Sequence, residues 1–267
     1  MDPDSDGSGQ PNEATEDGRA PRGVPGSAGV PAGPEAQAPE VKEPKGWHSR
    51  GYLPHLDQLS LHQSITFRLA DSIPKTKLEH LHHNLKHLPA EKQDPARRRK
   101  IEQWLDSGWG CCALRHPEIA TYVQNSFLHF HGDRYDLKAW CIMPNHVHLL
   151  ILPHTPLSEI IHGWKSFTSR WILKQNERLS LQIPDPKQFW QRDYWDRFIR
   201  DGDHYQNVID YIHKNPIKAG LCRTPESYPW SSADTLPGSA GVPADLSTPA
   251  AQPKENRENS EVSDPSS

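Results

Sequence analysis

Two histidines of this sequence, His146 and His148, are spaced for binding one metal ion. They lie in the run WCIMPNHVHLLILP, residues 140–153, where a Met-Pro-Asn turn signal separates two apolar segments and predicts a hairpin. Because side chains alternate between the two faces of a strand, both imidazoles point the same way, roughly 6.6 Å apart at the backbone. From that spacing both can bind one divalent metal ion.

The histidine pair is weak evidence when it is taken alone. The chain has 16 histidines in 267 residues, and two further pairs with one intervening residue occur, at 80–82 and 129–131. Both of these lie in patterns of helical period, in which neighbours two apart diverge around the helix. Only the pair at His146 and His148 lies in a predicted strand with an apolar opposite face. The alternative is that these are two structural histidines.

The hairpin belongs to a predicted mixed sheet-and-helix domain. Strands are expected at Ser64–Ala70, Tyr135–Met143 and His146–Leu152, with a short one inside Phe189–Ile199. Five helices are expected, at Pro74–Leu88, Pro95–Asp106, from Pro117 to before Gly132, at Ser158–Glu177 and at Tyr205–Asn215. Asp94 is the expected N-cap of the second helix, with Pro95 at its first position, and Asp203 is the expected N-cap of the fifth. This order predicts an α+β, ferredoxin-like antiparallel sheet with helices packed on one side.

The last predicted helix carries two residues with chemical potential on one face. Tyr211 and Asn215 are four residues apart, and therefore neighbours on a helix surface. Pro216 disfavours helical geometry at the preceding residue, so the helix is expected to end or kink there. The side-chain carbonyl of Asn215 is then available to a metal ion, or else the residue only caps the helix.

Both ends of the sequence differ in composition from its middle. Residues 1–44 contain no Leu, Ile, Phe, Tyr or Trp and are rich in Pro, Gly, Ala and acidic residues. Such a segment cannot offset its ordering entropy by burial, so we expect a disordered tail, and a second one at residues 233–267. The octapeptide PGSAGVPA occurs in both tails. One domain of residues 45–232 remains.

The domain is basic although the whole chain is acidic. The chain carries a net charge of −4, but the two tails contain 15 acidic and 5 basic residues, which leaves +6 on residues 45–232. A basic domain suits a polyanion, although mildly basic domains are common. Seven residues are candidate DNA contacts: Lys165, Arg170, Trp190, Arg192, Arg197, Lys214 and Lys218.

Some of these candidate DNA contacts also have an ordinary structural explanation. In the helix that contains Lys165 and Arg170, the expected core face consists of Ile161, Trp164, Phe167 and Trp171, which leaves the two cations free to face a partner. Aromatic and Arg side chains in the run FWQRDYWDRFI can stack on unpaired bases, but Trp190 is equally suited to a core. Lys214 and Lys218 are alternatively a solvated helix end.

The cysteines and the hydropathy indicate a reducing compartment and no membrane span. The four cysteines form no Cys-x-x-Cys pair and suggest no disulfide framework. No apolar run reaches about 18 residues, and no secretory signal opens the chain. A cytoplasmic protein is expected.

Four motifs occur in order and span most of residues 47–232: HVH after MPN, WKSFTSR, FWQRDYWDRFIRD, and DYIHKNPIKAGL followed by YPWSS. Together they resemble the REP-associated tyrosine transposases, which are single-tyrosine HUH transposases of bacterial insertion sequences. The resemblance implies Mg²⁺ or Mn²⁺ held by His146, His148 and Asn215, with Tyr211 as the nucleophile that attacks a DNA phosphate. Tyr194, Tyr205 and Tyr228 are rival tyrosines, but only Tyr211 shares a helix face with a candidate ligand.

The resemblance also implies a function. We expect a metal-dependent single-stranded DNA endonuclease and strand transferase that cleaves hairpin-forming repeats through a 5′-phosphotyrosine. A nucleoid-associated bacterial protein, monomeric or homodimeric, is expected. The alternatives are a domesticated DNA-binding protein that cleaves nothing and a rolling-circle-type HUH nickase. The tails and the His-rich residues 75–108 lie outside what the resemblance explains.

Overall fold

The computed structural model describes residues 46–49 and 54–234. Within these ranges the chain forms six strands and five α-helices in the order β1 (Gly46–Ser49), β2 (Pro54–Asp57), β3 (Gln63–Arg68), α1 (Lys75–Leu85), α2 (Ala90–Asp106), α3 (Pro117–Leu128), β4 (Tyr135–Met143), β5 (His146–Pro153), α4 (Leu157–Gln175), β6 (Trp195–Phe198) and α5 (Gly202–Lys218). The predictions of disordered tails concern residues that, apart from 233 and 234, lie outside the described ranges.

The central sheet is antiparallel and has the strand order β4-β5-β3-β6. The first strand of the domain core, β3, therefore lies between the third and the fourth, while helices α3 and α4 connect the pairs that are not neighbours. This is the order of a ferredoxin-like sheet, and the predicted fold class is confirmed. A separate two-stranded sheet pairs β1 with β2.

The two faces of the sheet have different cores. Val147, Leu149 and Ile151 of β5 belong to the larger core, which also contains buried residues of α3 and α4. Leu150 faces the opposite side and packs in a smaller core with Ile212 of α5. Helices thus lie on both faces, and the expectation that they lie on one side is wrong. His146 and His148 share the face of Leu150, which α5 covers.

Helices α2 and α5 begin and end at residues other than those predicted. Helix α2 starts at Ala90, four residues before Asp94, and contains Pro95 within it. Helix α5 is capped by Asp201, whose side chain accepts a hydrogen bond from the His204 N–H, and not by Asp203. It also continues through Pro216 to Lys218. A proline costs a helix one hydrogen bond, but burial of Pro216 and of Ile212 one turn earlier offsets that loss.

The hairpin and helix α3 follow the predictions closely, because their signals are local and mutually consistent. Helix α4 also forms, but Phe167 is 50% exposed and is not part of its core face. None of the helices in the described ranges is long and apolar enough to cross a membrane.

Candidate active site

The two histidines of β5 converge at their Nε2 atoms, which are 3.0 Å apart. Their other ring nitrogens are engaged: His146 Nδ1 lies 2.7 Å from Asn145 Oδ1, and His148 Nδ1 lies 2.8 Å from Thr66 Oγ1. The Asn145 amide is itself fixed, since its Nδ2 donates to the Trp109 carbonyl. Partners of this kind orient an imidazole and leave its far nitrogen available to a metal.

Both histidines are held in the neutral form. Burial lowers the pKa of His146 far below its ordinary value, and the neighbouring His148 lowers it further. Burial, followed by the positive charge of Lys218, lowers the pKa of His148 to about 3. A metal binds neutral imidazole, so the environment favours the ligand form across the physiological range.

Tyr211 lies against His148. Its ring is edge-on to His148 with 5.3 Å between centroids, and the Lys218 ammonium lies 5.2 Å from its centroid. Burial raises the pKa of Tyr211, the Glu102 carboxylate raises it further, and a contact with Asn215 opposes the shift. The phenol is therefore protonated at neutral pH, and the Glu102 carboxylate lies close enough to interact with it.

Asn215 lies one turn after Tyr211 and has no exposed surface. Its Nδ2 donates to the Tyr211 carbonyl at 2.9 Å, but its Oδ1 is buried and has no hydrogen-bond partner among the described residues. An orphaned amide oxygen is costly, and a cation is one partner that would satisfy it. The described residues hold no group of three His, Cys, Asp or Glu fit for a metal. Two imidazoles and an amide oxygen form a different donor set, which fits a divalent ion.

The three rival tyrosines are buried or hydrogen-bonded at other places in the fold. Tyr194 and Tyr205 are buried, the latter edge-on to His62. Tyr228 donates its hydroxyl to the Ile142 carbonyl at 2.9 Å. Tyr211 is therefore the tyrosine that the structure brings to the histidine pair.

The predicted DNA contacts divide into two groups. Lys165 donates to the carbonyls of residues 191, 192 and 193, so the expectation that it is free to face a partner is wrong. Trp190 is 5% exposed and donates to Thr168, which makes it a core residue and no stacking platform. The remaining five, Arg170, Arg192, Arg197, Lys214 and Lys218, are exposed. Lys214 forms an exposed ion pair with Asp210.

Helix α2 contributes residues that the sequence analysis missed. A cavity of about 660 Å³ lies beside Tyr211, and helix α2 forms one of its walls with Glu102 and Arg98. The run Arg97-Arg98-Arg99-Lys100 was the one available signal, but nothing in its local pattern shows which distant residues it meets. The full lining is Ser64, Thr66, Asp94, Pro95, Arg97, Arg98, Arg99, Glu102, Trp195, Asp196, Arg197, Phe198, His204, Val208 and Tyr211.

Comparison with known proteins confirms the resemblance expected from the sequence. The family described as "Transposase IS200 like" matches residues 117–215, a range that contains His146, His148, Tyr211 and Asn215. A REP-associated tyrosine transposase of Escherichia coli K12 is 28% identical over 112 residues, which cover 41% of this chain and 62% of that protein. A relative from Haemophilus influenzae with the same family name is 31% identical over 37% of this chain and 58% of its own length.

One solved structure is also similar to the chain. It is described as a REP-associated tyrosine transposase bound to a REP hairpin, and it has a TM-score of 0.39 and 17% sequence identity. The likeness covers 75% of this chain and 97% of that one. The chain matches less than two thirds of the length of the two curated relatives.

Proposed function

We propose that the chain is a metal-dependent single-stranded DNA endonuclease and strand transferase that acts on hairpin-forming repeats, in keeping with its similarity to the REP-associated tyrosine transposases. The observation that carries this proposal is the meeting of His146, His148 and Tyr211 on one sheet face, with the orphaned Asn215 oxygen one turn further along the same helix. A binding protein needs none of these residues in this arrangement.

The metal we propose is Mg²⁺ or Mn²⁺, held by the Nε2 atoms of His146 and His148 and the Oδ1 of Asn215. When bound, such an ion neutralises charge on the phosphate oxygens and polarises the phosphorus. Three neutral protein ligands leave its remaining positions to oxygen atoms of the substrate and water.

Tyr211 supplies the nucleophile. Its hydroxyl oxygen forms a bond to the phosphorus while the bond from phosphorus to the 3′ oxygen of the preceding nucleotide breaks. The products are a 5′-phosphotyrosine and a 3′ end that takes up a proton from solvent. Since the diester is exchanged and not hydrolysed, attack by a 3′-hydroxyl on the phosphotyrosine rejoins a strand without a nucleotide cofactor.

Glu102 is the group we propose to accept the phenolic proton. Burial raises the pKa of Glu102, but the positive charges of Arg98 and Lys218 oppose this and favour the carboxylate. Because the phenol is protonated before reaction, its proton must leave as the new bond to phosphorus forms. A positioned carboxylate provides that step, and Lys218 places a positive charge beside the ring.

The substrate class follows from charge and from the relatives. Residues 45–232 carry a net charge of +6, and the cavity beside Tyr211 is lined by four arginines. The family name of the relatives refers to REP elements, so hairpin-forming repeat DNA in the bacterial nucleoid is the proposed substrate.

The experiment uses a pool of single-stranded oligonucleotides with one fixed hairpin stem and randomised flanks. In the presence of Mn²⁺ we expect the label at the 3′ end to migrate with the protein on a denaturing gel, while a 5′ label is released in a shorter fragment. The Tyr211→Phe variant should give no adduct. Tyr228→Phe is the matched control and should retain the adduct, since its hydroxyl only bonds a backbone carbonyl.

Two results contradict the proposal. The first is an adduct that persists in Tyr211→Phe, which assigns the chemistry to another residue. The second is wild-type protein that binds the pool and cleaves no member of it with Mg²⁺ or Mn²⁺. That second result supports a DNA-binding protein that cleaves nothing.

A further inference from the structure

Arginines from two distant segments converge at the cavity that contains Tyr211. Arg98 comes from α2, within the part of the chain that the family resemblance leaves unexplained, and Arg197 comes from β6. Arg200 follows β6, and its charge also acts on Arg197. The cluster thus joins an accessory helix to the edge strand of the central sheet.

The guanidinium groups of Arg98 and Arg197 lack an ion-pair partner at contact distance within the described residues. Arg97, the neighbour of Arg98, pairs with Asp94, but the guanidinium groups of Arg98 and Arg197 have no hydrogen bond or ion pair there. The Nε of Arg98 is buried and has no hydrogen-bond partner among the described residues. Guanidinium groups arranged in this way repel one another, and an anion between them relieves both the repulsion and the orphaned donor.

The carboxylates that line the cavity do not fill this role. Asp94 pairs with Arg97. Glu102 attracts Arg98 without forming a contact ion pair with it, and it also interacts with Tyr211. Asp196 alternates with Trp195 and Arg197 along β6, and its Cβ therefore points to the other face of the sheet.

The sheet register places Arg197 near the reacting groups. Thr66 of β3 pairs with both His148 and Trp195, so the side chains of these three residues form one row across the face covered by α5. Ser64 pairs with Arg197 in the next row on that face, roughly 6.6 Å along the strand. Arg197 therefore lies on the same sheet face as His148, two strands across and one row along.

We infer that Arg98 and Arg197 together bind a backbone phosphate of the single DNA strand next to the phosphate that Tyr211 attacks. The planar guanidinium fork matches two phosphate oxygens, which a lysine ammonium does not. Helix α2, which with α1 forms a separate small core against Trp195, is then a wall of the substrate channel. The inference rests on the proposed function for the identity of the strand, but its test requires no cleavage.

The test measures binding of the stem-and-flank oligonucleotide pool in EDTA, with Tyr211→Phe as the parent protein. Arg98→Gln and Arg197→Gln should each weaken binding roughly ten- to hundredfold, as expected for the loss of a charged hydrogen-bonding partner. Each should also reduce the slope of log affinity against log salt, and the double variant Arg98→Gln/Arg197→Gln should reduce it by about 0.7, the value for one phosphate contact on a single strand. Lys92→Gln removes the same charge from the exposed side of α2 and is the matched control.

Oligonucleotides with a single neutral methylphosphonate locate the contact. For the parent protein, a methylphosphonate at one position near the base of the hairpin should weaken binding. With that oligonucleotide, the Arg98→Gln substitution should cause no further loss of affinity. Arg98→Lys keeps the charge, and we expect it to recover the salt slope but only part of the affinity. Circular dichroism melting of each variant separates loss of a contact from loss of the fold.

The inference is overturned if Arg98→Gln and Arg197→Gln bind like Lys92→Gln, or if no methylphosphonate position depends on them. The outcome is separable from that of the proposed function. A wild-type protein that forms no covalent adduct, but shows these arginine effects, refutes the cleavage proposal and leaves the phosphate site standing.

Discussion

At the scale of single residues, Asn215 decides whether the histidine pair is a metal site. The alternative interpretation, that it only ends a helix before proline, conflicts with a helix that runs on to Lys218. Its amide nitrogen donates a hydrogen bond to the Tyr211 carbonyl, while its amide oxygen is buried and has no hydrogen-bond partner among the described residues. Imidazole alone is a poor partner for Mg²⁺, which prefers oxygen, so this oxygen would complete the donor set of the proposed metal site.

Removing the oxygen should therefore raise the metal requirement. We expect Asn215→Ala to need about 10–100 times more Mn²⁺ for half-maximal adduct formation, because a weak ligand is lost. Hairpin binding in EDTA should be nearly unchanged. A Mn²⁺ titration of adduct formation measures the effect, and Asn215→Asp, which keeps an oxygen at the same place, is the control. If Asn215→Ala needs no more Mn²⁺ than wild type, the residue is not a ligand.

At the scale of elements, sequence patterns predicted whether a segment is a helix or a strand more accurately than they predicted where it begins and ends. The hairpin and helix α3 could be predicted because period, turn residues and capping signals agreed there. The start of α2 could not, since Asp94-Pro95 is a good start signal that lies inside a longer helix. The start of α5 could not be predicted either, because Asp201 and Asp203 are equally suitable N-cap residues by type. Only the folded backbone shows that Asp201 is the cap.

The cap of α5 provides a stability prediction. Asp201→Ala should lower the free energy of unfolding by about 1 kcal/mol, since the His204 N–H loses its acceptor. Thermal melting should show a decrease of about 2–4 °C for a domain of this size. Asp203→Ala is the matched control, because it removes a carboxylate from the same turn without removing the cap bond, and its effect should be smaller. Equal losses in both variants would show that charge at the helix start matters and the cap does not.

At the scale of the whole molecule, the sequence predicted the proposed metal-binding pair and the proposed nucleophile, but not the α2 residues that line the cavity beside Tyr211. Strand alternation and helical spacing are short-range rules, and they suffice to place His146 with His148 and Tyr211 with Asn215. Contacts such as that of Glu102 with Tyr211 join residues more than one hundred positions apart. Nothing in the local pattern of α2 predicts them, because they depend on how α1 and α2 pack against Trp195.

The buried histidine pair also makes the stability of the whole metal-free domain depend on pH. Folding lowers the pKa of His148 to about 3 and that of His146 in the same direction, whereas the unfolded chain binds their protons near pH 6.5. Between these values the unfolded state holds more protons, so the free energy of unfolding should fall as pH decreases from about 6.5, by up to about 1.4 kcal/mol per pH unit for each histidine. Urea unfolding in EDTA from pH 7.5 to 4.5 measures this slope. The double variant His146→Gln/His148→Gln keeps polar side chains that do not titrate, and its curve should be flatter than that of wild type over this range. Parallel curves would mean that other groups set the acid sensitivity and that the pair is not held neutral by the fold.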